Sequence, residues 1–166
     1  MIFDWGKIFI WDKPSPSAIR PLRAAAAVDC ARIHAAGFAY PWAQSELESL
    51  IADPNAVGTA ALDPANARLR GFALSRLAGD EAEILTIAVD RALRRAGVGR
   101  DLLRAHLSQV AGAGAARIFL EVDEQNTAAL ALYARFGFNK VGERKGYYKR
   151  ADGAAASALV MRRDLS

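Results

Sequence analysis

The sequence predicts an α/β fold, on three observations. Ile84 to Val89 is apolar enough for a strand buried on both faces, Gly97 to Val110 carries an inward helical stripe, and Arg117 to Val122 is a second apolar strand. A strand, a helix and a strand in that order make a right-handed parallel unit. Strand pairs lie on either side of it. Ala56 to Leu62 and Leu69 to Leu77 turn around Asp63-Pro64; Phe138 to Tyr148 and Ala156 to Arg162 form a closing antiparallel pair around Asp152-Gly153. The 166 residues, just over half apolar and a quarter charged, make one globular domain with no repeat.

Taken in order, Met1 to Pro16 sets Phe3, Trp5, Ile8, Phe9, Ile10 and Trp11 among charges. It has neither a basic start nor a long apolar run, so it does not read as a signal peptide, and no segment is long enough to cross a membrane. Residues 1–16 read as an extension that packs on the domain or on a neighbouring subunit, with a frayed tail as the alternative; residues 17–166 read as the domain. Ala18 to Arg20 reads as a short strand. Leu22 to Ala36, alanine-rich and closed by Gly37, predicts a helix. Cys30 and His34 lie one turn apart on it and read as a buried thiol and a surface imidazole rather than a metal pair. Ser45-x-x-Glu48 predicts a capping box opening a helix with Leu47, Leu50 and Ile51 inside, stopped by Asp53-Pro54. In the next helix Val98, Leu102, Leu103, Leu107 and Val110 face inward, His106 is structural, and Gly112 and Gly114 end it. Asn126 to Phe136 predicts the last helix, with Asn126 or Thr127 as N-cap and Gly137 as C-cap.

Composition narrows the chemistry. Cys30 is the only cysteine and there are two histidines, so no internal disulfide and no metal site are expected, and a reducing cytoplasm fits. A net charge of +4 suits an anionic cofactor or partner without saying which. No direct nucleic-acid recognition is expected. The basic residues cluster, however: Arg91, Arg94, Arg95, Arg100 and Arg104 surround Gly97-Val98-Gly99.

That turn is where chemistry concentrates. A strand feeding a glycine turn and then a helix offers free backbone N–H groups and a positive dipole end to an anion, above all a phosphate. Arg94, Arg95 and Arg100 can add charge-assisted bonds. A P-loop is excluded, because Arg100-Asp101 stand where Lys-Ser/Thr is needed. A dinucleotide fingerprint is weakened by Leu102 at the third small position, although Glu121 lies near where a ribose-binding acid would come. Arg94-Arg95-Ala96-Gly97-Val98-Gly99 fits a third pattern, Arg/Gln-x-x-Gly-x-Gly/Ala. An ordinary strand–helix turn is the plain alternative.

The third pattern resembles the diphosphate loop of the GCN5-related N-acetyltransferases (GNAT). Leu120-Glu121-Val122, Asn126, Ala129 to Tyr133 and Gly137-Phe138 resemble one branch, the RimI-type ribosomal-protein-alanine N-acetyltransferases. The likeness runs from about Pro21 to the C-terminus and is dense from Leu85 to Tyr148. It implies a mixed, mostly antiparallel sheet whose central parallel pair splays to hold acetyl-CoA, flanked by about four helices.

The resemblance also implies roles. Arg94, Arg95, Ala96, Gly97, Val98, Gly99 and Arg100 would grip the diphosphate. Ile87, Ala88 and Val89 would pair with the pantetheine arm, with the Val89 N–H donating to the thioester oxygen. Asn126 would bond the cofactor, a role compatible with capping its helix. Glu121 would be the base and Tyr133 the acid. The residues themselves leave other readings open: Glu121, on the strand face opposite Ile118, Leu120 and Val122, could be a paired or solvent-facing acid, and Tyr133 shares a stripe with Leu130 and Phe136. Trp42 would line the acceptor site or anchor its loop. Tyr147 and Tyr148 would flank the peptide entrance or pack the hairpin. The implied acceptor is a protein N-terminus, by resemblance the alanine of a small-subunit ribosomal protein. A small-molecule amine and a non-catalytic acyl-CoA-binding module are the alternatives. Ala96, in place of a frequent basic residue, and the alanine-rich loop Lys149 to Ser157 depart from the branch and bear on substrate identity. The sequence does not fix the oligomeric state.

Overall fold

A computed structural model describes residues 16–149 and 152–165. The expected N-terminal extension, Pro16 apart, lies outside the described residues, as does the side chain of Tyr148. Seven strands form one sheet in the order β1-β2-β3-β4-β5-β7-β6. They are β1 (Ala18–Pro21), β2 (Ala56–Leu62), β3 (Leu69–Ala78), β4 (Glu81–Val89), β5 (Arg117–Asp123), β6 (Asn139–Lys149) and β7 (Ala155–Asp164). Among the described residues only β4 and β5 pair in parallel, as the strand–helix–strand order requires; every other described neighbour is antiparallel.

Helices α1 (Ala27–Ala35) and α2 (Gln44–Ala52) cover one face, while α3 (Val98–Gly112) and α4 (Thr127–Arg135) cover the other. Val98, Leu102, Leu103, Leu107 and Val110 are the buried stripe of α3, as its spacing predicts. They pack with Ile118, Leu120 and Val122 of β5, with Tyr133 of α4, and with Ala61 and Ala73 of the sheet. On the opposite face Cys30, Ile33 and Leu47 pack on Phe72 and Ala88.

The helical starts differ from expectation. Leu22 to Ala36 is not one helix: a 3-10 turn, Ala24–Ala26, precedes α1, and no side chain caps either start. The second helix begins before Ser45. Its N-cap is Ala43, whose extended backbone (φ −70°, ψ 159°) turns into the helix. The Ala43 N–H donates to Glu46 Oε2 at 2.7 Å, so Glu46 rather than Glu48 closes the cap. Ser45 sits inside the first turn, where its carbonyl accepts from Ser49 Oγ, and Glu48 accepts from Gln44. The N-cap of α4 is as expected: Asn126 Oδ1 accepts from the Ala129 N–H at 3.2 Å.

His106 joins α3 to the sheet. Thr59 donates to Gln109 Oε1 at 2.8 Å, so its oxygen accepts from His106 Nδ1, also at 2.8 Å. Ser75 then donates to Nε2 at 2.7 Å. The ring is fully buried, and burial pushes it down to about 4. The imidazole is a structural bolt, as the sequence suggests.

Candidate active site: a split between two strands

β4 and β5 pair only from Glu81↔Arg117 to Ile84↔Leu120. Beyond that rung they part, although each keeps its other neighbour: β3 follows β4 to Gly71↔Val89, and β7 follows β5 to Asp123↔Ala158. A bulge lies at the parting point. Leu74 opposes Thr86 and Ser75 opposes Ile84, which leaves Leu85 as the extra residue. Such an insertion bends and twists its strand. It also exchanges the faces of β4. Ile84 belongs to the core under α3 and α4, whereas Ala88 packs under α1 and α2.

The opened edge offers backbone hydrogen bonds. The Asp90 N–H donates to Arg70 O at 2.8 Å, toward β3. By strand alternation the N–H groups of Ile87 and Val89 point the other way, into the split. A slender chain with amides of its own can pair there as a strand would.

The glycine turn lies at the mouth. Asp90 caps a 3-10 turn, Arg91–Leu93, accepting from Ala92 N–H at 3.1 Å, and pairs with Arg32 at 3.3 Å and Arg68 at 3.6 Å. Burial opposes its charge, but the Ala92 N–H and the guanidinium groups hold its carboxyl below the usual range. Arg95 (φ 63°) and Gly97 (φ 86°) both take left-handed backbone, which swings the chain round before α3. The first N–H groups of α3 have no capping side chain. At Gly99 a β-carbon would lie 3.6 Å from Val89 Cγ2 and 3.9 Å from Leu132 Cδ2, so this turn sits between the end of β4 and α4. Arg100 lies over Gly97 and pairs with Asp101 at 3.1 Å. Arg94 instead extends its guanidinium against Gly37, past the end of α1.

Glu121 and Tyr133 lie on opposite faces of the sheet. Ile118, Leu120 and Val122 are buried under α3 and α4, which turns Glu121 to the other face. Its side chain is 18% exposed, and Oε1 lies 3.0 Å from Arg144 Nε. Tyr133 is buried on the α4 side, edge-on to Phe138 at 5.6 Å. Arg144 is the residue that sequence reasoning misses. It crosses from β6 and also stands 5.1 Å from the Tyr147 ring centroid, so it links Glu121 to the hairpin. Tyr147 itself is half exposed.

His34 corrects the sequence reading: it is buried, not on the surface. The loop after α1 folds back so that Phe38 stacks on one side of the ring at 4.0 Å and Trp42 on the other at 4.9 Å. The Trp42 N–H donates to His34 Nδ1 at 3.2 Å. That bond needs a neutral ring, and burial lowers the imidazole in keeping with it. Trp42 thus anchors its loop and also lines a hollow of about 430 Å³ beside Ser45, Glu46 and Leu50 of α2. A second hollow, about 250 Å³ between Leu107, Phe136 and Leu165, lies by the far half of α3 and includes none of the expected site residues. Among the described residues no three of His, Cys, Asp or Glu converge.

A splayed parallel pair with an arginine-flanked glycine turn at its mouth is the arrangement that the sequence resemblance implies. Residues 17–138 match the profile of the acetyltransferase (GNAT) family. The chain belongs to the GNAT family. It is 38% identical over 155 residues to N-alpha-acetyltransferase RimI of Mycobacterium tuberculosis, covering 90% of this chain and 93% of that one. It is also 38% identical over 96 residues to the [ribosomal protein bS18]-alanine N-acetyltransferase of Escherichia coli, spanning 58% of this chain but only 64% of that relative's length. The crystal structure of the Escherichia coli ribosomal-protein-S18-alanine N-acetyltransferase superposes with a TM-score of 0.83 at 30% identity, covering 90% of this chain and 94% of that one. Arabidopsis thaliana NAA60, solved with acetyl-CoA, shares the fold at a TM-score of 0.76 and 19% identity, covering 89% and 97%.

Proposed function

We propose that this GNAT protein transfers the acetyl group of acetyl-CoA to the α-amine of a protein N-terminus, with the N-terminal alanine of a small-subunit ribosomal protein as acceptor. The observation that carries the reading is the split with the arginine-flanked turn at its mouth. Glu121 on one face of the sheet and Tyr133 packed on the other support it. The residues fit the co-substrate. Ile87 and Val89 present open N–H groups, Ala88 packs the strand between them, and the turn supplies the α3 N-terminus with Arg95 and Arg100 close by. Ala96, Gly97, Val98 and Gly99 bring backbone rather than bulk to the diphosphate. Arg94 closes the α1 side, and Asn126, its oxygen engaged in capping, keeps its amide N–H₂ as a donor.

In this reading the Val89 N–H donates to the thioester oxygen as negative charge gathers there. Glu121 takes the proton of the attacking amine. Arg144 holds Oε1 and leaves Oε2 for that proton. An α-amine titrates near ~8, well below lysine's ~10.4, so a weak base suffices for a peptide N-terminus. Tyr133, whose phenol is an O–H donor, gives its proton to the departing thiolate. Trp42, Tyr147 and Tyr148 would flank the acceptor's first residues. The names of the Escherichia coli relatives support a ribosomal acceptor, and such an acceptor would place the reaction in the cytoplasm. Burial pushes the Cys30 thiol up to about 12, so it is no rival nucleophile.

The test is acetyl-CoA consumption with short peptides that begin with alanine. Glu121→Gln and Tyr133→Phe should each lower kcat by about 10²-fold or more while CoA still binds. Turnover with free amines and none with peptides would instead select the small-molecule reading. Tight CoA binding without any turnover would select the binding module.

A further inference from the structure

One buried polar group has no use in this scheme. Thr86 is 5% exposed, and its Oγ1 has no hydrogen-bond partner although it is shut off from bulk solvent. A hydroxyl left so is destabilising, and valine has the same shape without the penalty. β4 is otherwise apolar from Ile84 to Val89. A hydroxyl at this point of it calls for a reason.

Its place supplies one. Thr86 is the first residue of β4 past the bulge, and Ile84↔Leu120 is the last rung before the split. Because Leu85 is the extra residue against β3, Thr86 and Glu121 are each one alternation step past the Ile84↔Leu120 rung. Both side chains lie on the same face. Ala88, two residues on, packs under α1 and α2, while the neighbours of Glu121 are buried on the other side. A lone hydroxyl and a carboxylate therefore flank the base of the split on the side opposite Tyr133. Arg144 is the charged group described against Glu121 there.

We infer that Thr86 is a positioning residue, which fixes a water between its Oγ1 and Glu121 so that the acceptor's proton reaches the carboxylate through it. This rests on the proposed function. The water donates one O–H to Glu121 and the other to Thr86 Oγ1, which turns its lone pair to the amine. The acceptor arrives as an ammonium. One of its protons passes to the water as the water's first proton passes to Glu121, and the lone pair so freed attacks the thioester. The proton shed as the amide forms replaces the one that Tyr133 gives to the thiolate. The water is regenerated, and the carboxylate has gained one proton.

The experiment compares wild type, Thr86→Val and Thr86→Ser, using an alanine-initiated peptide and acetyl-CoA from pH 6 to 10. In Thr86→Val kcat should fall about 10-fold or more near pH 7 with KM for acetyl-CoA unchanged, and the deficit should shrink above pH ~9, where the amine arrives neutral. Its melting temperature should hold or rise. Thr86→Ser should restore most of the rate and the wild-type pH profile. A Val variant as active as wild type across the range overturns the inference alone. So does a deficit that is uniform with pH, or one that serine leaves unrepaired. A wild type that turns over no peptide overturns the proposed function, and this inference with it.

Discussion

Single residues carry both the chemistry and much of the rigidity. Arg144 is the sharpest case for the chemistry. It holds Glu121 at 3.0 Å and reaches Tyr147, so Arg144→Ala should free the carboxylate to turn away. We expect kcat/KM for peptide to drop about 10-fold with CoA binding unchanged; an unaltered kcat/KM would remove Arg144 from the site. For rigidity it is His106. The unfolded chain takes up a proton near 6.5 and the folded chain not until about 4, so the unfolded state binds more protons between those values. The stabilisation is thus full above pH 6.5 and drains away as pH falls toward 4, by about 3 kcal/mol in all. His34, lowered by burial, acts in the same direction. Urea midpoints should fall between pH 7.5 and pH 5, and His106→Leu should flatten that slope. The same variant should lose about 2–4 kcal/mol, because Thr59 and Ser75 lose a buried partner. A midpoint indifferent to pH over that range would contradict the network.

Among the elements, β4 and the turn after it decide whether the split exists. Gly71 faces it on β3, where a β-carbon would lie 2.8 Å from the Ala88 carbonyl oxygen. Gly71→Ala should push the two strands apart and cost about 1–3 kcal/mol, with a matching loss of CoA affinity; a variant as stable as wild type would mean the strands can separate freely. Arg95 holds left-handed backbone that glycine takes more easily. Arg95→Gly should therefore change stability by less than about 1 kcal/mol while weakening CoA binding, since only the guanidinium is lost. The turn was legible in advance because closely spaced glycines between an apolar strand and an amphipathic helix mark a turn by type and spacing. The bulge was not: Ile84 to Val89 is apolar but for Thr86, so nothing in its pattern marks Leu85 as the extra residue. The cap of α2 was misread for a similar reason. Glu46 and Glu48 can both reach back, and only the path of the chain through Trp42 and Ala43 selects between them.

Across the whole molecule, local order in the chain foretold the parallel pair and its antiparallel flanks, and the resemblance foretold that the pair splays. Side chains meeting across strands were harder to foresee. Arg144 opposes Ala158, which in turn opposes Asp123, so β7 intervenes between the arginine and Glu121's strand. Only the register of three strands, with small alanine in the middle, lets the long side chain cross. His34 was likewise decided by distant parts, since Phe38 and Trp42 bury it only once the loop closes back on α1. Glu121 and Tyr133 lie on opposite faces of the sheet, and the proposed function has the amine and the thioester meet in the gap between β4 and β5. A crystal structure with a CoA–alanyl-peptide bisubstrate tests that most directly. The diphosphate should lie on the N–H groups of Gly97 to Arg100, the pantetheine amides on Ile87 and Val89, and the sulfur between the Glu121 and Tyr133 side chains. A diphosphate bound elsewhere, or a sulfur out of reach of both side chains, would contradict the account.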